Sequence, residues 1–142
     1  MILLLGVSLR LREFFTFRSL WLDEVALLLQ IKRRSYEALL LNGVLGNQGA
    51  PAAYLLLSKL TLGQFSSLEI GARFISLLCG VGTMVLSAWL VLLSFRDSMT
   101  RLVGLLLIAT CPWLVYYTAE GKHYMQEVLI TLILVCASLR YE

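Results

Sequence analysis

The sequence predicts an all-α fold of polytopic transmembrane helices, about three to four of them, the first and last truncated, with interfacial amphipathic helices in the first external loop. Three observations carry that prediction. Of the 142 residues 59% are apolar and only 15% are charged, and mean hydropathy is +0.82, outside the soluble range. One uncharged run, Phe74 to Phe95, is long enough to cross ~30 Å of hydrocarbon as a helix. Backbone groups in lipid must find partners within the protein, which favours helices over open sheet. The bilayer is therefore the first partner to reason about. The net charge of +3 comes with no long basic arm and no basic stripe interleaved with aromatics, so nucleic acid is not expected as a partner.

Taken in order, residues 1–18 read as the end of a first span. "MILLLGVSL" is too short to cross alone, and Arg10 and Arg12 follow it like the flank of a helix end. A signal peptide would want a positive n-region and a small-x-small cleavage site, and neither is present. Residues 19–68 read as an external loop with two interfacial helices. "DEVALLLQIKRRSYEALLL" mixes apolar and charged residues at helical spacing. "NGVLGNQGAP" reads as a turn, and a second helix starts at Pro51, a favourable first helical position. Residues 69–95 form a span, and 96–101, "RDSMTR", a cytoplasmic turn. A second span over 102–118 ends in Trp113, Tyr116 and Tyr117, as interface belts do. A second external loop, 119–127, leads into the start of a further span, 128–142. Both ends look cut, so 1–142 is expected to be the N-terminal part of a longer multi-spanning protein.

The basic turn and Arg140 orient the chain by the positive-inside rule, which puts Asp23, Glu24, the Gln48 loop and Glu120 to Tyr124 on the extracytoplasmic side of a plasma (inner) membrane. "KRR" at Lys32 to Arg34 then lies outside as well. That requires either a lipid-phosphate role or the opposite topology. Cys79, Cys111 and Cys136 sit in apolar runs without CxxC spacing and read as buried thiols.

Two acidic clusters from distant positions then meet one membrane surface. "SLWLDEVALL" sets Asp23 and Glu24 among leucine, tryptophan and valine, where ionising a carboxylate is costly unless it is paired. In "YYTAEGKHYMQEVL" Glu120, Tyr124 and Glu127 follow i, i+4, i+7 spacing and are expected on one helical face. Lys122 adds a cation and His123 a neutral base. A carboxylate can take a proton from an attacking hydroxyl, and a cation can steady a leaving phosphate. His123 and Glu127 also share a face, but the chain has one histidine and lacks a complete ligand set, so no metal ligand is assigned.

The ordered set "SLWLDEVALL", "NQGAPAAYLLLSKLTLG", "SLEIGARFISLLCG" and "YYTAEGKHYMQEVL" resembles the N-terminal part of membrane glycosyltransferases of the GT-C fold. It is most similar to bacterial relatives of protein O-mannosyltransferases and aminoarabinose transferases. The resemblance implies transfer of a glycosyl group from a polyprenyl-phosphate-linked sugar to an acceptor hydroxyl on a lipid, glycan or protein. Asp23 matches the acid of the family's first external loop, which acts as general base or positions the acceptor. Glu24 matches its neighbour, Glu120 and Lys122 match the acid and base of the second loop, and Glu127 falls where many members have Asp. Lys122 stands where the family often has Arg, and Gln48 and Pro51 match a loop that usually has His or Gly before proline.

Gln48, Lys122, Tyr124 and Arg73 are the candidate substrate-binding residues. Arg73 also reads as an i, i+4 partner of Glu69, and Asp23 with Glu24 as the acidic start of an interfacial helix. No cofactor is called for, with a divalent metal left open. Trp21, Tyr54, Tyr116 and Tyr117 read as belt residues rather than sugar platforms. The fragment alone is expected to be inactive, lacking the spans of a donor groove. The alternative from a different class is a small non-enzymatic membrane subunit, for transport or assembly, or a decayed transferase remnant.

Overall fold

The structure is a computed structural model that describes residues 1–45 and 49–139. Among these, every element is an α-helix: α1 Ile2–Phe14, α2 Leu22–Arg33, α3 Tyr36–Asn42, α4 Ala52–Gln64, α5 Leu68–Ser94, α6 Ser98–Thr110, α7 Pro112–Thr118 and α8 Tyr124–Ser138. Gln48, expected to bind substrate, and Arg140, expected to orient the chain, lie outside the described residues. The 27-residue α5 is the axis of the fold, and α1, α4, α6, α7 and α8 all pack on it. By length and apolarity it is the one described helix able to cross a bilayer alone.

The expected span over 102–118 is two helices, not one. α6 and α7 meet at a bend of 42°, because Pro112 has no N–H to offer Ile108 O. Arg10 of α1 fills that gap. Its side chain is fully buried, with Nη2 donating to Ile108 O at 3.3 Å and Nη1 to Ala109 O at 3.3 Å and Gly6 O at 3.0 Å. The guanidinium donates here to backbone carbonyls and to Met84 Sδ rather than to an acid, while Nε has no hydrogen-bond partner among the described residues. The turn before α6 is also shorter than 96–101. Asp97 caps α6 by accepting from Thr100 N at 2.8 Å, so the helix starts at Ser98. Arg101 closes the hairpin by donating to Phe95 O and Leu92 O at the end of α5.

The first loop holds three helices rather than two. The run from Asp23 breaks at Ser35, whose extended backbone and Oγ, accepting from Ala38 N, cap a new helix, α3. α3 ends at Gly43, whose φ of 59° suits glycine. α4 begins at Ala52, one residue after the proline. These helices bury Leu27, Leu28, Ile31, Leu39, Tyr54 and Leu55 against Ala72 near the N-terminal end of α5. Full burial of such side chains contributes about 1.5–3 kcal/mol each for the larger aliphatics. That core fixes the first turn of α2 beside the α7–α8 loop. All three cysteines are free thiols, with Cys136 buried and Cys79 and Cys111 only half-buried.

Candidate functional site

The site begins at the start of α2. Trp21 N donates to Glu24 Oε2 at 2.9 Å, which satisfies an N-terminal amide and sets a carboxylate at the positive end of the helix. Glu24 is 1% exposed, and its other oxygen, Oε1, accepts from Gly121 N at 2.5 Å. The carbonyl of the same glycine accepts from the Tyr54 hydroxyl of α4, also at 2.5 Å. Burial pushes the Tyr54 hydroxyl above its ordinary range, so it stays a donor even in alkaline solution.

At Gly121 a Cβ would lie 3.2 Å from Glu24 Oε1, a tight approach, and 3.4 Å from Ala72 Cβ, an ordinary contact. We expect Gly121→Ala to destabilise the protein by about 1 kcal/mol by pressing on the Glu24 carboxylate, measurable as a lower unfolding midpoint in micelles. Further ties reach the loop on either side. Ser76 of α5 donates to Lys122 O at 3.1 Å, and Arg18 donates to Ala119 O at 3.3 Å while lying 4.0 Å over the Tyr116 ring. Arg73, buried beneath, donates to Arg18 O at 2.6 Å.

These ties shape a cleft of about 340 Å³ in which Asp23, Glu24, Glu120, Lys122 and Tyr124 meet, with Trp21 and Tyr116 at its walls. Lys122 Nζ lies 3.7 Å from Asp23 Oδ2, and the Asp23 side chain is 73% exposed. Glu120 is half-buried, and its Oε2 has no hydrogen-bond partner among the described residues. Burial first, and the neighbouring Glu24 second, raise its pKa, with Arg18, Lys122 and Arg73 pulling the other way. The cleft thus combines an exposed carboxylate paired to a cation with a second carboxylate that holds its proton more tightly than usual.

The single helical face expected for Glu120, Tyr124 and Glu127 is not formed. Glu120 lies in the loop before α8, because Glu24 and Tyr54 take the Gly121 N–H and C=O that a continuous helix would use. Glu127 stands on the first turn of α8 with its Oε1 3.3 Å from His123 Nε2. It lines a second, mainly apolar groove of about 490 Å³ between α5, α7 and α8, and Tyr124 borders both spaces. Arg73 sits under the loop, not in the cleft wall, and does not ion-pair with Glu69, which instead accepts from the Ser67 hydroxyl at 2.8 Å.

No group of three potential metal ligands occurs among the described residues. Tyr54, Gly121, Ser76 and Arg18 were not singled out in the sequence as site residues. Only Gly121, between Glu120 and Lys122, carried a local signal, that of a glycine interrupting a charged stretch. No protein-family model, curated protein or solved structure matches the chain.

Proposed function

We propose that the chain is part of a polytopic membrane glycosyltransferase that moves a sugar from a polyprenyl-phosphate donor to an acceptor hydroxyl in this cleft. The observation that carries the reading is the meeting of Asp23, Glu120, Lys122 and Tyr124, from two distant segments, in one cleft. The family resemblance stands beside it. In this reading α6 and α7 form one broken span, and α1 and α8 lie beside α5 as parts of further spans. The basic turn with Arg96 and Arg101 is at the opposite end of α5 from the cleft, which supports an extracytoplasmic site.

The chemistry follows from the charges. The acceptor oxygen attacks the anomeric carbon, the bond from that carbon to the phosphate oxygen breaks, and polyprenyl phosphate leaves with the electron pair. Lys122 faces the charge growing on the phosphate, and Asp23 holds that cation at the mouth of the cleft. Glu120 receives the proton of the acceptor hydroxyl, a task its raised proton affinity suits, and Asp23 is the second carboxylate within reach of the cleft.

The test supplies membranes containing the full-length transferase, of which this chain is proposed to be part, with polyprenyl-phosphate-linked mannose or aminoarabinose, radiolabelled in the sugar. Glu120→Gln and Asp23→Asn are each expected to lower transfer at least a hundredfold. Wild-type transfer is expected to fall as pH drops through the raised range of Glu120, above that of an ordinary carboxylate. Stability should move the opposite way. A group that binds its proton more tightly when folded contributes fully at low pH, and that contribution is lost as pH rises from the unfolded range through the folded one. Glu120→Gln is therefore expected to be more stable than wild type at neutral pH. Undiminished transfer by both variants would mark the acids as structural, whereas absence of transfer by the wild type would favour a non-enzymatic transport or assembly subunit.

A further inference from the structure

The cleft leaves one charged feature of the molecule unused. Lys32 and Arg33 end α2, Arg34 caps it, and Lys59 of α4 joins them at the junction with α3. Two of these cations turn inward. Arg34 Nη1 donates to Gly43 O at 2.7 Å, while Lys59 Nζ donates to Ile31 O at 3.1 Å and Lys32 O at 3.4 Å, lying 5.3 Å over the Tyr36 ring. The terminal carbonyls of α2 are thus served by a lysine from another helix.

Lys32 and Arg33 are left exposed, with no ion-pair partner among the described residues. Glu37 is the one acid close by in sequence, in the first turn of α3, where it faces the positive end of that helix. The adjoining surface is apolar. Leu39 is fully buried in the core, yet Leu40, Leu41 and Leu45 are 59%, 80% and 67% exposed. A short helix apolar on both faces beside two outward cations suits the headgroup layer of a bilayer better than either water or hydrocarbon.

We propose that Lys32 and Arg33 bind the phosphate of an anionic membrane phospholipid whose acyl chains lie against the exposed leucines of α3. The site is separate from the cleft: Lys32 stands nine positions after Asp23 on α2, roughly 14 Å along the helix. It also accounts for a basic cluster on the extracytoplasmic side, where topology alone disfavours one.

The experiment measures lipid retention by native mass spectrometry on the protein in micelles doped with phosphatidylglycerol or phosphatidylcholine. Wild type is expected to retain one phosphatidylglycerol that Lys32→Gln/Arg33→Gln binds roughly thirtyfold more weakly, at about fivefold per lost charge. The charge-keeping Lys32→Arg/Arg33→Lys variant is expected to retain it. Equal retention of phosphatidylglycerol by wild type and the neutral variant overturns the proposal, as does equal retention of phosphatidylcholine by wild type. Displacement by millimolar glycerol phosphate overturns it too, since the ligand would then be a free phosphate. Helical circular dichroism of the neutral variant is expected to match wild type, and a loss of helix would contradict the outward placement on which the site depends.

Discussion

Glu24→Ala is expected to destabilise the protein by roughly 3–5 kcal/mol and to abolish whatever chemistry the cleft performs. The carboxylate is almost fully buried and accepts from two backbone amides, Trp21 N and Gly121 N. Alanine leaves both donors without a partner, at about 1–3 kcal/mol each, and opens a cavity between α2 and the α7–α8 loop. Glu24→Gln keeps an acceptor oxygen for one amide but turns an NH₂ toward the other, so its cost should be intermediate. The check is an unfolding titration in micelles together with hydrogen exchange at Gly121. If the Gly121 amide stayed as protected in Glu24→Ala as in wild type, the bond would not be holding the loop. Tyr54→Phe removes only the bond to the other side of the same residue and should cost about 1 kcal/mol.

The second large effect is at the helix break. Arg10→Met keeps a long side chain but removes the donors to Ile108 O and Ala109 O, and is expected to cost about 2–4 kcal/mol. The cause is specific and can be tested by a cycle. Pro112→Ala restores an N–H at position 112 that can serve Ile108 O and straighten the path from α6 to α7. In that background the loss on Arg10→Met should shrink by about 1–2 kcal/mol. Strictly additive costs would show that Arg10 is not compensating for the proline.

These two residues mark the limits of what the sequence made legible. Asp23 and Glu24 are adjacent, and both read as site acids, yet one is exposed beside Lys122 and the other is sealed between backbone amides. Residue type and position could not separate them, because the difference lies in Gly121, 97 residues away. Arg10 read as the flank of a helix end for the same reason: the carbonyls it serves are 98 and 99 residues away. The run Leu102 to Thr118 read as one span because a hydropathy pattern does not register the missing N–H of Pro112. Likewise the i, i+4, i+7 pattern at Glu120 assumed that Gly121 would bond along its own helix, whereas Glu24 and Tyr54 compete for its two polar groups.

The sequence by itself determined the all-α class, the long apolar α5, the hairpin turn after it and the two acidic segments. Each of these depends on local composition and spacing, on how many apolar residues run together and on where caps and charges fall. Only the tertiary structure decided that Asp23, Glu120 and Lys122 share a cleft, that Glu24 and Tyr54 brace it, and that Arg10 supports the broken helix. Those outcomes depend on buried polar groups finding partners 67 to 99 residues away, a demand set by the low polarity of the packed interior rather than by any neighbouring residue.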